Sequence, residues 1–117
     1  MRTLVDFLIE KKQREKRYFK DYLFWAKELK KEAQKNLKDV KVFLFGSIVR
    51  SEAEPGSDID ILIVSPDLKD SEQRSKIRTK IFKKTGLGSP FEIHLITPKD
   101  YQDWYGHFIK KEKIEIR

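Results

Sequence analysis

The chain has 117 residues, of which 38% are hydrophobic and 38% charged, and its formal net charge is +7. This length favours a single domain with one modest core, and the absence of cysteine excludes disulfides and thiolate metal sites. No apolar run reaches the roughly 18 residues that a membrane span needs, and no signal-peptide pattern is recognisable, so we expect a cytoplasmic protein.

Residues 1–37 form an N-terminal helical segment, because residues 2–37 contain no Gly or Pro and are rich in helix formers. Residues 10–17 contain no apolar side chain, and one helix of about 35 residues would be roughly 53 Å long. We therefore expect either a break near residues 10–16 or a projecting first third. A projecting end would offer Leu4, Leu8 and Ile9 to another subunit or a partner, and the alternative is that this patch folds back onto its own core. An apolar stripe at three- and four-residue steps predicts core packing for the second half: Tyr18, Tyr22, Trp25, Ala26, Leu29, Ala33 and Leu37.

The central segment, residues 40–97, alternates strand and helix signals separated by Pro-Gly and Gly-Pro turn chemistry. Pro98 predicts another helix at its first position, which would bury Tyr101, Trp104 or Tyr105, and Phe108. Alternation near the end predicts a last short strand. The predicted elements after residue 37 are a strand at 41–45, a short helical piece at 47–51, a strand at 58–65, a helix at 71–84 capped by Ser71, a strand at 91–96, the helix from 98 and a strand at 113–116.

Two carboxylates alternate at the start of the second predicted strand. Asp58 and Asp60 point to the same face, with backbone positions roughly 6.6 Å apart. At an effective dielectric constant of about 20, their charges repel by roughly 2.5 kcal/mol, which a divalent cation converts into ligation. Oxygen ligands suit Mg²⁺ or Mn²⁺. The alternative is a solvated strand end.

A third carboxylate lies on the strand predicted over residues 91–96. Its apolar residues alternate to one face, which leaves Glu92 and His94 together on the other. Glu92 is a candidate third metal ligand, and the alternative is an exposed strand residue. A lone histidine on a strand is more often structural than catalytic, so we interpret His94 as structural.

Gly46 and Ser47 follow the first apolar strand directly. Glycine permits close backbone approach there, and the next amides can cradle a phosphate. The alternative is an ordinary turn in which Ser47 caps a helix. Arg50, one helical turn further on, either neutralises phosphate or pairs with Glu52 or Glu54 on the surface.

Gly46-Ser47, followed twelve positions after the glycine by Asp58-Ile59-Asp60 and then by a later strand carboxylate, resembles the DNA polymerase beta-like nucleotidyltransferase superfamily. The short chain is similar to its minimal nucleotidyltransferases, which are often paired with HEPN-domain partners. The resemblance implies an α/β (α+β) palm, a small mixed β-sheet with helices packed on it. The resemblance covers roughly residues 40–97, the catalytic core, and we expect one nucleotidyltransferase domain over residues 1–117 with a C-terminal helix and tail at 98–117.

The same resemblance implies transfer of a nucleoside monophosphate, AMP from ATP, to a hydroxyl acceptor. Only about 20 residues follow the third strand, so we expect the acceptor to be held by a second subunit or by a HEPN-domain partner, in an antitoxin role. The third family carboxylate is commonly aspartate, and Arg50 is often followed by glycine, so Glu92 and Ser51 depart from the pattern. The implied metal ligands and catalytic residues are Asp58, Asp60 and Glu92, with Mg²⁺ or Mn²⁺, and the implied nucleotide-binding residues are Gly46, Ser47 and Arg50.

Charge is unevenly distributed along the chain. Residues 42–70 carry a net −4, whereas residues 1–41 carry +6 and residues 71–117 carry +5. A basic surface is either a solvated face or an attractor of polyanions such as nucleotide or RNA. Two other functions stay open: a glycosyltransferase that binds a sugar nucleotide through Mn²⁺, and a degenerate palm that only binds RNA or a protein.

Overall fold

The computed structural model describes residues 1–51, 58–86, 88–105 and 112–117, without the side chains of Arg14, Trp104 and Tyr105. The described strands form one four-stranded sheet in the order β3-β2-β1-β4. The strand β2 pairs parallel with β3, and β1 pairs antiparallel with both β2 and β4, so the sheet is mixed as expected. The bounds of the strands are Lys41–Phe45 for β1, Ile59–Val64 for β2, Phe91–Ile96 for β3 and Lys113–Ile116 for β4.

The helices are α1 at Leu4–Lys20, α2 at Tyr22–Asn36, α3 at Ser71–Thr85 and a single turn, α4, at Pro98–Asp100. A 3₁₀ turn covers Gly46–Ile48, and a π-type turn covers Tyr101–Tyr105. The helix α3 connects the parallel strands β2 and β3. Its N-cap is Asp70, whose side chain accepts a hydrogen bond from the Gln73 amide at 2.8 Å, so the predicted cap at Ser71 is wrong by one residue.

The break between the two N-terminal helices lies further along the chain than residues 10–16. Residues 10–16 are helical throughout, and the break lies at Asp21, with φ −110° and ψ 33°. A charged run lacks packing partners but keeps good helix propensity, which explains why the predicted break near 10–16 is wrong. Residues 1–13 are all exposed, so the beginning of α1 projects from the body, as the other expectation held.

The main core lies between one face of the sheet and the two longer body helices. Its buried members come from α2, α3 and all four strands, and Tyr18 and Trp25 pack against them. Tyr18 also donates a hydrogen bond from its hydroxyl to the Thr85 carbonyl at 2.5 Å, which connects α1 to the end of α3. The core therefore confirms the predicted apolar stripe from Tyr18 to Leu37.

The second face of the sheet carries a smaller apolar cluster of Phe43, Leu62, Val64 and Ile96. Tyr101 covers it by stacking on Phe43, with ring centroids 5.9 Å apart. This confirms the prediction for Tyr101. The predicted burial of Trp104, Tyr105 and Phe108 lies outside the described residues or side chains.

The outer edge of β3 is occupied by side chains of α3. Arg78 donates to the Ile93 carbonyl at 3.3 Å, and Arg74 reaches the Leu95 carbonyl at 3.5 Å. Of the described helices, none has the length and apolarity needed to cross a bilayer.

We expect Leu29→Ala to lower the free energy of unfolding by about 2–5 kcal/mol, because Leu29 is fully buried and its loss leaves a cavity. Leu23→Ala on the same helix is the matched control. Leu23 is 44% exposed, so its truncation should cost under about 1 kcal/mol. Urea unfolding of both variants checks this, and equal losses would contradict the assignment of the core face of α2.

Candidate active site

Three side chains with metal-ligand chemistry meet on the second face of the sheet. The parallel register places Asp60 opposite Glu92, and His94 follows Glu92 on the same face of β3. The His94 Nε2 atom lies 3.4 Å from the Asp60 Oδ1 atom and 3.8 Å from the Glu92 Oε1 atom. One donor atom from each of these three residues lies within 4.8 Å of the others. Two predicted ligands are thus neighbours, and histidine joins them.

Asp58 occupies the rim of this cluster. The next residue, Ile59, is fully buried in the main core, and its amide donates to the Pro90 carbonyl at 2.7 Å, which fixes the start of β2. Asp58 therefore lies just before the strand, with an exposed side chain outside the compact group of donors. Its charge still contributes to raising the pKa of Glu92, so the two carboxylates interact electrostatically.

His94 lies in this cluster, although the sequence analysis leaves it out of the candidate ligands. Its side chain is 23% exposed, packs against Phe45 with ring centroids 5.2 Å apart, and contacts both carboxylates. The signal was present in the sequence, since Glu92 and His94 alternate with apolar residues on one strand. The missing information was the pairing of β3 with β2, which brings Asp60 alongside.

Gly46 begins the 3₁₀ turn after β1, and its backbone lies against the Asp60 carboxylate. Its φ of +79° favours glycine, and a Cβ atom built on it would lie 2.5 Å from the Asp60 Oδ2 atom. The backbone thus approaches Asp60 closely, as the glycine suggested. Ser47 continues the 3₁₀ turn and is partly buried beside this contact. The turn is tightened by the Val49 and Arg50 amides, which donate to the Gly46 carbonyl at 3.1 and 3.3 Å.

Arg50 follows this turn and is 44% exposed. Its guanidinium lies 3.4 Å from the Glu112 carboxylate just before β4, a partner that the sequence did not suggest. The alternative pairings with Glu52 and Glu54 lie outside the described residues. Ser51 has φ +58°, a left-handed conformation that glycine adopts readily, so this position has a backbone conformation that would also suit the glycine of the family's Arg-Gly.

Glu92 is the carboxyl group of the cluster whose pKa is raised. Burial raises the pKa of Glu92, and the charges of Asp60 and Asp58 and a hydrogen bond with Asp60 raise it further, whereas His94 opposes the rise. The side chain is still 52% exposed, so water screens much of this effect. Apposed carboxylates of this kind gain nothing for the fold.

The donor set fits a divalent cation. Two carboxylates and an imidazole offer close donor atoms from adjacent strands. Because Gly46 has no side chain, residue 46 does not cover the Asp60 carboxylate. Carboxylate oxygens suit Mg²⁺, and the combination with an imidazole is also acceptable to Mn²⁺. Asp60, Glu92 and His94 offer these close donor atoms, and Asp58 adds a carboxylate at the rim.

The sequence matches the family described as "Nucleotidyltransferase domain" over residues 26–117, from α2 to the end of the chain. The chain therefore belongs to the nucleotidyltransferase domain family. This confirms the superfamily suggested by Gly46-Ser47 and Asp58-Ile59-Asp60, and it does not support the glycosyltransferase alternative. The minimal-nucleotidyltransferase subgroup stays a prediction.

The fold is similar to a 1.40 Å crystal structure from Sulfolobus solfataricus, described there as a "putative nucleotidyltransferase". The TM-score is 0.59 at 21% sequence identity, over 92% of this chain and 83% of that chain. At this identity the similarity establishes the shared mixed α/β architecture. No curated protein matches the sequence.

Gly46→Ala should displace the Asp60 carboxylate and weaken Mn²⁺ or Mg²⁺ binding by about tenfold or more, because the added Cβ overlaps Asp60. Gly88→Ala is the matched control: Gly88 has a similar φ of +84°, and no atom lies within 4 Å of an added Cβ. Both variants should lose about 1 kcal/mol or more of stability through backbone strain. Calorimetric metal titration separates them, and equal metal affinity in both would contradict the assigned contact.

Glu92→Gln should stabilise the metal-free protein at neutral pH by under about 1 kcal/mol, because it removes an ionised carboxylate that the folded state disfavours. The pKa of Glu92 is raised in the folded state. Wild-type stability therefore declines as pH rises from the ordinary glutamate range through the raised value, and the gain from Gln disappears below that range. Urea unfolding in EDTA at acidic and neutral pH measures this.

Glu72→Gln is the control for that comparison, because Glu72 is exposed and pairs with Lys76 on α3. It should give no gain at neutral pH. A Glu92→Gln variant that is less stable than wild type at neutral pH would refute the electrostatic assignment.

Proposed function

We propose that the protein is a metal-dependent nucleotidyltransferase that transfers a nucleoside monophosphate, AMP from ATP, to a hydroxyl acceptor. One observation carries the proposal. The Asp60 carboxylate lies between the Gly46 turn and the Glu92–His94 pair, so a phosphate-binding turn and a cation-binding cluster share one residue. Membership of the nucleotidyltransferase domain family supports the same reaction class.

Asp60, Glu92 and Asp58 would hold the divalent ions in this proposal, with His94 beside the two strand carboxylates. When bound, two such ions neutralise charge on the attacking and leaving oxygens of an in-line displacement. Asp60 is suited to the shared ligand position because it is central in the cluster and contacts both the turn and His94.

The nucleotide would lie along the Gly46 turn. The absence of a side chain at Gly46 lets the Asp60 carboxylate lie against this turn, so a cation on Asp60 would be next to a phosphate held by the amide and hydroxyl of Ser47 in the 3₁₀ turn. Arg50 would add a positive charge one turn away, exchanging part of its interaction with Glu112 for the phosphate. These roles explain why glycine, a small hydroxyl residue and arginine follow β1.

The proposed reaction is a substitution at the α-phosphorus of ATP. The acceptor hydroxyl oxygen forms a new bond to this phosphorus, the bond to the α–β bridging oxygen breaks, and pyrophosphate leaves. The hydroxyl proton passes to the Glu92 carboxylate and from there to solvent. Glu92 is suited to accept this proton because its side chain is 52% exposed and can meet an incoming hydroxyl.

We extend the proposal to the acceptor, a hydroxyl side chain on a HEPN-domain partner that would be inactivated by AMP, with this chain as antitoxin. This extension rests on the family resemblance. The exposed positions of Asp58 and Glu92 support it, because an open rim admits a macromolecular acceptor.

The test is incubation of the protein with α-labelled ATP, Mg²⁺ and the product of the neighbouring gene. Wild type should label that product, and Asp60→Asn should reduce the rate by about 10²–10³-fold, as expected for loss of several kcal/mol of charge stabilisation. Asp21→Asn at the α1–α2 break is the control and should retain activity, because it lies outside the cluster.

Mg²⁺-dependent ATP binding, measured in parallel, separates two failures. Binding without label transfer would refute the proposed acceptor alone. RNA binding with a steep salt dependence but no metal-dependent nucleotide binding would refute the enzyme and identify a degenerate palm.

A further inference from the structure

We infer that the projecting half of α1 is a self-association surface, on which a second copy of this chain packs antiparallel. Residues 1–13 are exposed along their whole length, although they include five large apolar side chains on α1 itself. These five are between 47% and 73% exposed: Leu4, Val5, Phe7, Leu8 and Ile9. A contiguous apolar surface of this kind on a described helix marks an interaction site.

The first turns of α1 are stabilised by interactions within the chain itself. Thr3 and Asp6 form a reciprocal capping box at its start, and Arg2 forms an ion pair with Glu10. At 100° per residue, Arg2, Asp6 and Glu10 lie on one side, whereas Leu4 and Leu8 lie on the other. The exposed leucines therefore lie opposite the side of the helix where the capping box and the ion pair are formed.

The apolar side continues the face by which the protein packs its own core. Steps of three and four residues lead from Leu4 and Leu8 through Lys11 and Glu15 to Tyr18, before the break at Asp21. Tyr18 packs on the core and keeps part of its surface accessible. The projecting half thus extends the core-facing stripe of α1 beyond the edge of the body.

The charges on this stripe are complementary to those of a second, antiparallel copy of the same helix. Lys11 and Glu15 stand one turn apart with opposite sign, so an antiparallel copy places each lysine opposite the other copy's glutamate. In that register Leu8 faces Tyr18 of the second copy. The surface is self-complementary, as a two-fold interface requires.

Binding to a lipid surface is less consistent with the same helix. An interfacial helix is expected to carry Lys and Arg beside its apolar residues, but in the projecting half the side opposite Leu4 and Leu8 holds Asp6 and Glu10 beside Arg2. The basic residues of α1 begin at Lys11, after the five exposed apolar side chains.

Sedimentation equilibrium of the full chain tests the inference. Wild type should show twice the 14.0 kDa mass of one chain, and Leu4→Gln/Leu8→Gln should show the single mass with unchanged helix content by circular dichroism. Ile114→Gln is the control, since Ile114 is another exposed apolar residue but lies on β4. The double variant should also bind ATP with Mg²⁺ as wild type does, because its substitutions lie outside the proposed site.

A charge exchange tests the register. Lys11→Glu and Glu15→Lys should each weaken dimerisation by at least about tenfold, and mixing the two variants should restore a dimer because each supplies the charge the other needs. The double exchange Glu72→Lys/Lys76→Glu on α3 should have no effect. A monomeric wild type overturns the inference, whether or not it binds vesicles or an unrelated protein, and so does a dimer that the leucine substitutions leave intact.

Discussion

The pairing of β2 with β3 in a single parallel register is the constraint on which the site depends. It sets Asp60 beside Glu92 and brings His94 next to both. The register is fixed from the opposite face, where Ile59, Ile61 and Ile63 are fully buried. A slip by one residue would turn these side chains to the wrong face, so the apolar core determines where the carboxylates meet. The residues that stabilise the fold thereby position the ligands.

The site itself opposes stability. Glu92 ionises against burial and against two neighbouring aspartates, and Gly46 must hold a backbone conformation that leaves no room for a side chain beside Asp60. Among the described residues, His94 offsets part of the cost at Glu92, because it lowers the pKa of that carboxyl group. The combination of these features is understandable if a cation and a phosphate complete the arrangement, which is the physical basis of the proposed transfer reaction.

The sequence was informative about local structure and about the face on which side chains lie. Alternation predicted that Asp58 and Asp60, and separately Glu92 and His94, share faces, and all four strands were placed within one residue of their observed ends. It could not predict contacts between strands, because pairing depends on the assembled core. The pairing of β3 with β2 brings His94 beside Asp60 and leaves Asp58 at the rim, and alternation along a single strand does not encode this arrangement.

The arginines along the margin of β3 have a consequence for how the molecule associates. A strand at the end of a sheet presents free carbonyl groups that can template another chain, and here Arg74 and Arg78 occupy two of them with long cationic side chains. Strand addition is thereby disfavoured at the edge that bears Glu92 and His94. Contact between two molecules through their helices would leave this edge and the acidic rim open to solvent.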